Sequence, residues 1–309
     1  MKTILSIDGG GIRGIIPALV VAHLEKASGK PACQLFDLMA GTSTGGIIAM
    51  GLAAPDPSQP DQPRYRAKDL ADLYERHGRE IFSRSLWKGI TSTGGLTDET
   101  YSHRPLEDVL HAYFGDHTLG ECLCPVMATA YDIEARDTLF FKSWKPRHHA
   151  IPLKQVCRAT SAAPTYFEPA EVEIEGVSHA LIDGGVYINS PAVSAYAEAT
   201  RLWPDEPIRL LSLGTGELTR PIWRDEARDW GKAGWLKPLL DSMFDGAADA
   251  VDYQMAHFLG DRYTRLQLTL DKANDDMDDA TAGNIENLKR AGRALVRKYK
   301  DGLASFAGG

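Results

Sequence analysis

Clustered basic charge is what this chain most conspicuously lacks. Lys and Arg number 34 against 42 Asp and Glu, a formal net charge of −8. Nucleic-acid binders neutralise phosphates with grouped Lys and Arg, so nucleic acid is excluded as the main partner. The longest basic stretch, KRAGRALVRKYK near the C-terminus, spaces its charges at helical intervals and reads as a solvated helix face. Cysteine is also scarce. Cys33, Cys122, Cys124 and Cys157 form no C-x-x-C pair, and Cys122 and Cys124 stand too close for a usual zinc knuckle. Reduced, mostly buried thiols fit a cytoplasmic protein. Long apolar runs are missing too. The N-terminal run ends at Asp8 and the glycines after it, too soon for a signal sequence. No segment reaches the roughly 20 apolar residues of a membrane helix. A soluble, unprocessed, cytoplasmic chain is the expectation.

What is present is ordinary for a globular protein: 309 residues, 43% hydrophobic and 25% charged, enough to bury a large core. Apolar runs predict strands over 3–7, 35–40, 124–133, 138–144, 179–186, 208–217 and 263–270. Helical spacing predicts helices over 15–30, 67–82, 104–115, 152–167 and 191–203, and through most of the chain after Trp223. There is no internal repeat and no linker that splits the chain. A single domain over 1–309 follows: a three-layer α/β fold, with a mainly parallel central sheet and helices on both faces. Ligands in such folds bind at the C-terminal ends of the strands.

Three glycine turns follow strands. The first, SIDGGGIRG (6–14), places Gly9, Gly11 and Gly14 at the G-x-G-x-x-G spacing of a dinucleotide-binding turn. That site also needs an acid closing the second strand. Asp37, 23 residues after Gly14, precedes LMA inside that strand, and the strand ends in a serine turn instead. No Gly-Lys-Ser/Thr follows, so a Walker loop is excluded. The acidic run NDDMDD (274–279) lacks EF-hand spacing and its closing Glu, and is expected to cap the helix after it. Neither cofactor nor metal is expected.

The second turn, GTSTG (41–45), is G-x-S-x-G between an apolar strand and a helix, the setting of a nucleophile elbow. The chain must reverse sharply there, so Gly41 and Gly45 stand where side chains would collide. Ser43 then projects its hydroxyl above the sheet, over a helix N-terminus that favours negative charge. A serine nucleophile needs a base. Of nine histidines only His257 follows a late acid, and it falls inside an expected helix. The third turn, IDGG (182–185), offers Asp183 at a strand end. Its carboxylate can take the serine proton directly, or it can simply open an ordinary turn.

In that order, DGGGIRG (8–14), GTSTG (41–45) and DGG (183–185) resemble the patatin-like phospholipase family. So do FDLMAGTSTGGIIAMGL, ATSAAPTYFEPA, LIDGGVYINSPA, LLSLGTGE and the late MDDAT followed by a helix, over essentially residues 3 to 300. The resemblance implies a serine acyl hydrolase that cleaves fatty acyl esters of phospholipids or other lipids. Ser43 is the implied nucleophile, Asp183 the base of a Ser–Asp dyad, and Gly9, Gly10 and Gly11 the oxyanion hole. Arg13, just past the loop, either adds positive charge near the oxyanion or a lipid phosphate, or ties the loop to a carboxylate. Trp87, Trp230 and Trp235 stand beside lysines and admit two readings, transient contact with a membrane surface or core packing. A storage or scaffold protein on the same fold is the alternative to an enzyme, and the family also includes signal-activated defence and effector phospholipases.

Overall fold

TILSI, the first apolar run, becomes an inner strand of the sheet. The computed structural model of the protein describes residues 1–81, 102–217 and 220–308. The first half runs β1 (Lys2–Ile7), α1 (Ile15–Ser28), α2 (Ala32–Leu35), β2 (Leu38–Gly41), α3 (Thr44–Ala53), α4 (Ala67–Ile81), α5 (Arg104–Phe114), β3 (Val126–Asp132), β4 (Asp137–Lys142) and α6 (Leu153–Thr160). The second half runs β5 (Ala170–Ile174), β6 (Val177–Asp183), α7 (Ala192–Leu202), β7 (Ile208–Leu213), α8 (Arg224–Ala227), α9 (Lys232–Leu259), β8 (Tyr263–Leu266), α10 (Ala282–Lys298) and α11 (Lys300–Ala307).

The strands join in one eight-stranded sheet. Strands β3, β2, β1, β7 and β8 are parallel neighbours in that order. Alternate residues of the same strands supply two separate apolar clusters, because successive side chains point to opposite faces. Leu5, Ile7 and Met39 enter the larger cluster, with residues of α1, α3, α4, α5, α6, α10 and α11. Ile4, Leu38, Ala40, Met127 and Leu210 enter the other, under α7 and α9. Helices therefore cover both faces, as an α/β sandwich requires.

The remaining strands are antiparallel, and their arrangement was not foreseeable from periodicity. Residues Met127–Asp132 of β3 pair with β4 along one flank. On its other flank β3 pairs twice. β2 runs up it as far as Gly41, opposite Ala128, and β6 runs down it as far as Asp183, opposite Ala130. The two strands thus meet nearly end to end.

Three local expectations are corrected. Residues 35–37 are not strand: Pro31 opens the short helix α2, whose Ala32 amide is capped by the buried Glu25 carboxylate at 2.9 Å. The helix expected over 152–167 stops at Thr160. There the Ser161 hydroxyl donates to the Cys157 carbonyl at 2.6 Å, and Pro164 disfavours helical backbone in the residue before it. The strand β5 was not anticipated, although AEVEI alternates and Glu175–Gly176, both at positive φ, make the tight hairpin into β6. No helix among the described residues is long and apolar enough to cross a membrane.

Candidate active site

The serine turn has the strain its glycines permit. Ser43 sits at φ 55° and ψ −123°, between the end of β2 and the first turn of α3. A β-carbon at Gly41 would overlap the backbone of Gly45, and one at Gly45 would overlap the Ile7 carbonyl of β1. Only glycine lets strand, turn and helix come so close. Two threonines hold the turn in place. The Ser43 amide donates to Thr160 Oγ1 at 3.0 Å, and the Thr42 hydroxyl donates to the Ile188 carbonyl at 2.9 Å while accepting from Thr129 at 2.9 Å.

Asp183 arrives from above, at the end of the descending strand β6. Its carboxylate is buried, accepts the Gly185 amide at 2.7 Å and shares its cavity with Ser43. Burial raises its pKa to about 7, against the lowering effect of the neighbouring Ser43 hydroxyl and Gly185 amide. The apolar site penalises the carboxylate, and the hydroxyl and amide return only part of its lost hydration. None of the nine histidines lines the cavity at Ser43. His257 is exposed on α9, with its ring beside the Tyr253 carbonyl.

The glycine loop faces Ser43 from the end of β1. Gly10 and Gly11 line the cavity with Ser43 and Asp183. The Gly9 amide is occupied: it donates to the Asn189 carbonyl at 3.1 Å. Among the described residues no backbone acceptor is paired with the Gly10 or Gly11 amide. Two of the three expected donors thus have free N–H groups beside the serine. Arg13 is buried, and burial depresses the pKa of its guanidinium. Its hydrogen bonds run to neither a carboxylate nor the cavity. Nε donates to the Gly10 carbonyl and Nη1 to the Gly216 carbonyl, each at 3.3 Å, so it ties the loop to the turn after β7.

Several residues around this loop went unnoticed in the sequence. Thr215 donates to the Gly9 carbonyl at 2.8 Å. Arg265, on β8, forms a buried ion pair with Asp8 at 2.6 Å and donates to Ser212 at 2.8 Å. The Met277 carbonyl accepts the Ile12 amide at 2.9 Å, and a β-carbon on Gly11 (φ 56°) would overlap that carbonyl. Thr160, Asn189 and Thr215 all lie in the family-like stretches; Thr160 closes α6 and Thr215 follows β7 by two residues. Met277 opens another such stretch, MDDAT, and Arg265 carries no local signal. The acidic run around Met277 does not cap α10 itself. Thr281 does, while Asp275 and Asp276 bind Arg220 and Asp279 accepts the Thr281 amide.

The cavity walls are otherwise apolar, with Ile47, Leu106, Phe167 and Phe244 among the lining residues. Asp37, the acid weighed for a nucleotide site, lies at the opposite end of β1, bound to Lys2 and the Thr3 amide. Trp235 is 39% exposed and packs edge-on against Trp230, so it does not belong to the core. Trp87 lies outside the described residues.

Residues 5–196 match the model of the patatin-like phospholipases. Patatin-like protein 2 of Arabidopsis thaliana is 32% identical over 96% of this chain and 83% of its own length. Patatin-04/09 of Solanum tuberosum is 30% identical over 99% of this chain and 89% of its own. The solved structure of human GIVD cytosolic phospholipase A2 superposes with a TM-score of 0.53 at 9% identity, over 99% of this chain and 60% of that one, a likeness of fold. The matched motifs span both the serine turn and the IDGG turn, and the chain belongs to the patatin-like phospholipase family.

Proposed function

We propose that the protein is a cytoplasmic carboxylic ester hydrolase that removes fatty acyl chains from phospholipids or related acyl lipids, working as a single domain. The observation that carries this reading is Ser43 and a buried Asp183 lining one apolar cavity. Family membership supports the lipid class of the substrate.

In this reading the Ser43 oxygen attacks the ester carbonyl as Asp183 takes its proton. The carbonyl oxygen becomes an oxyanion facing the free Gly10 and Gly11 amides, and such donors commonly contribute about 3 kcal/mol each. The tetrahedral species collapses, the C–O bond to the alcohol breaks, and the leaving lysolipid takes the proton from Asp183. Asp183 then deprotonates a water, which attacks the acyl-enzyme. The second collapse returns that proton to Ser43 and releases the fatty acid. A base with a pKa near 7 suits this cycle, since it both accepts and returns a proton near neutral pH. The apolar side chains of Ile47, Leu106 and Phe167 accommodate an acyl chain.

Substrate reaches the cavity from a membrane surface in transient contact with α9. Phe244 of that helix lines the cavity, while Trp235, Leu239 and Met243 stand 39%, 49% and 41% exposed. The test is hydrolysis of p-nitrophenyl butyrate and of phosphatidylcholine vesicles by wild type, Ser43→Ala and Asp183→Asn. Wild-type turnover lost in both variants, with melting temperatures retained, is the expected result. Equal rates in all three would overturn the dyad.

A further inference from the structure

The glycine loop can serve as an oxyanion hole only if its N–H groups point at Ser43, and glycine by itself does not hold a direction. Gly populates several backbone regions at little cost, so the peptides around Gly10 must be held by something else. A trans peptide gives the means. Its carbonyl and its N–H point in opposite directions, so fixing the carbonyl of residue 9 fixes the N–H of residue 10.

That carbonyl is held by Thr215. The strands β1 and β7 pair in parallel with Ile7 opposite Leu213, and the Asp8 amide continues the ladder to the Leu213 carbonyl at 3.0 Å. Two residues further along each chain come Gly9 and Thr215, side by side. The buried Thr215 hydroxyl donates to the Gly9 carbonyl at 2.8 Å. The Thr215 side chain also covers the side of Gly10 where a β-carbon would stand. Thr215 does not line the cavity, while Gly10 does. The threonine therefore grips the loop from behind, and the Gly10 N–H is turned to the side away from it, where Ser43 stands. Arg13 acts in parallel on the next peptide through the Gly10 carbonyl.

We infer that Thr215 is a positioning residue of the oxyanion hole, acting through the Gly9–Gly10 peptide. The inference rests on the hydrolase reading above, and touches neither substrate nor the Ser43–Asp183 pair. It makes the hydroxyl, and not the size or packing of the side chain, the determinant. Thr215→Val keeps the shape and removes the hydroxyl. Thr215→Ser keeps the hydroxyl and removes the methyl.

The experiment measures p-nitrophenyl butyrate kinetics, labelling by a fluorophosphonate, and competitive inhibition by p-nitrophenyl butyl ether. The ether has no carbonyl to form an oxyanion. Thr215→Val should lower kcat by about 10- to 100-fold, the loss expected of a displaced oxyanion donor. Its KM and the ether inhibition constant should stay within about twofold, because ground-state binding makes no use of that donor. Fluorophosphonate labelling, whose phosphoryl oxygen occupies the same hole, should slow in step with kcat. Thr215→Ser should recover most of the rate. If the valine variant does not fold, Thr215→Ala, which also lacks the hydroxyl, replaces it. An unchanged kcat in the variants lacking the hydroxyl would overturn the inference. So would a serine variant as slow as the valine one, or loss of ether binding in step with kcat. A wild type whose turnover survives Ser43→Ala fails at the earlier step and removes the hydrolase reading itself.

Discussion

Ser43 and Asp183 come together because two strands approach them along one flank of β3 from opposite directions. The ascending β2 ends at Gly41, opposite Ala128, and the descending β6 ends at Asp183, opposite Ala130. The serine turn and the acid therefore meet head to head in the gap between two strand ends. The sheet itself brings the Asp183 carboxylate into the cavity of Ser43, which no histidine lines among the described residues.

The raised pKa of Asp183 sets a pH dependence. The proposed base works only when ionised, so kcat/KM should climb with pH to a plateau, with its midpoint near 7. Stability should run the other way. The folded state holds this proton up to about pH 7, whereas the unfolded chain releases it near the ordinary carboxylate value of 3.8. Between these values the folded state binds more protons, so this group's contribution to stability falls as pH rises, and levels off above about 7. Asp183→Asn should abolish activity and raise the melting temperature relative to wild type more at pH 8 than at pH 4. A flat rate profile between pH 5 and 8 would count against Asp183 as the base.

The elbow glycines make a sharper structural prediction. Gly45→Ala drives a methyl into the Ile7 carbonyl, and Gly41→Ala drives one into the Gly45 backbone. Neither contact can relax by a rotamer change. Each substitution should cost about 3 kcal/mol or more in stability, at the upper end for overpacked sites, and abolish turnover. Gly283→Ala, at a position with open space around it in the first turn of α10, should be close to neutral. Urea denaturation of the three variants checks the ranking.

The ion pair behind the glycine loop should behave as buried pairs do. Asp8 is 1% exposed, and Arg265 Nη2 donates to its Oδ2 at 2.6 Å. Burial raises its pKa, and Arg265 opposes the shift. Arg265→Met removes that opposition and strands the carboxylate, at an expected cost of about 3–5 kcal/mol. The double variant Asp8→Asn with Arg265→Met should recover much of the loss. Thermal or urea unfolding of the cycle tests this, and additive losses would show the two side chains to be energetically independent.

Contact with lipid should depend on the exposed side of α9. Trp235→Ala combined with Leu239→Ala should weaken co-sedimentation with phosphatidylcholine vesicles and slow hydrolysis of vesicle lipid. Hydrolysis of a short soluble ester should be unchanged, because neither residue lines the cavity. Unaltered vesicle binding would remove this helix as the lipid contact.

Much of this was legible in the sequence, for a local reason. A sharp strand-to-helix reversal needs Gly41 and Gly45 within five residues, and a strand ending in Asp183 and two glycines is equally local. Periodicity marks the inner strands because both their faces are buried. The alternating α/β order then implies helices on both faces of the sheet. These features follow from short-range sterics and from burial, which leave their mark on neighbouring residues.

Other features depended on register and direction, which leave no mark on a single stretch. Nothing in LIDGG says that β6 runs down the flank of β3 that β2 runs up, yet this is what brings Asp183 to Ser43. Nothing in DGGGIRG says that the Gly9 amide is taken by Asn189, leaving the Gly10 and Gly11 amides free. From its position Arg13 could serve an anion or tie the loop to a carboxylate, and in the fold its guanidinium grips two carbonyls. Thr215, Arg265 and Met277 reach the loop from 206, 257 and 266 residues beyond Gly9, Asp8 and Gly11. Sequence chemistry decided which groups can react. Only the packing of distant strand ends decided which of them meet, because hydrogen-bond partners across a sheet are chosen by register and not by proximity in the chain.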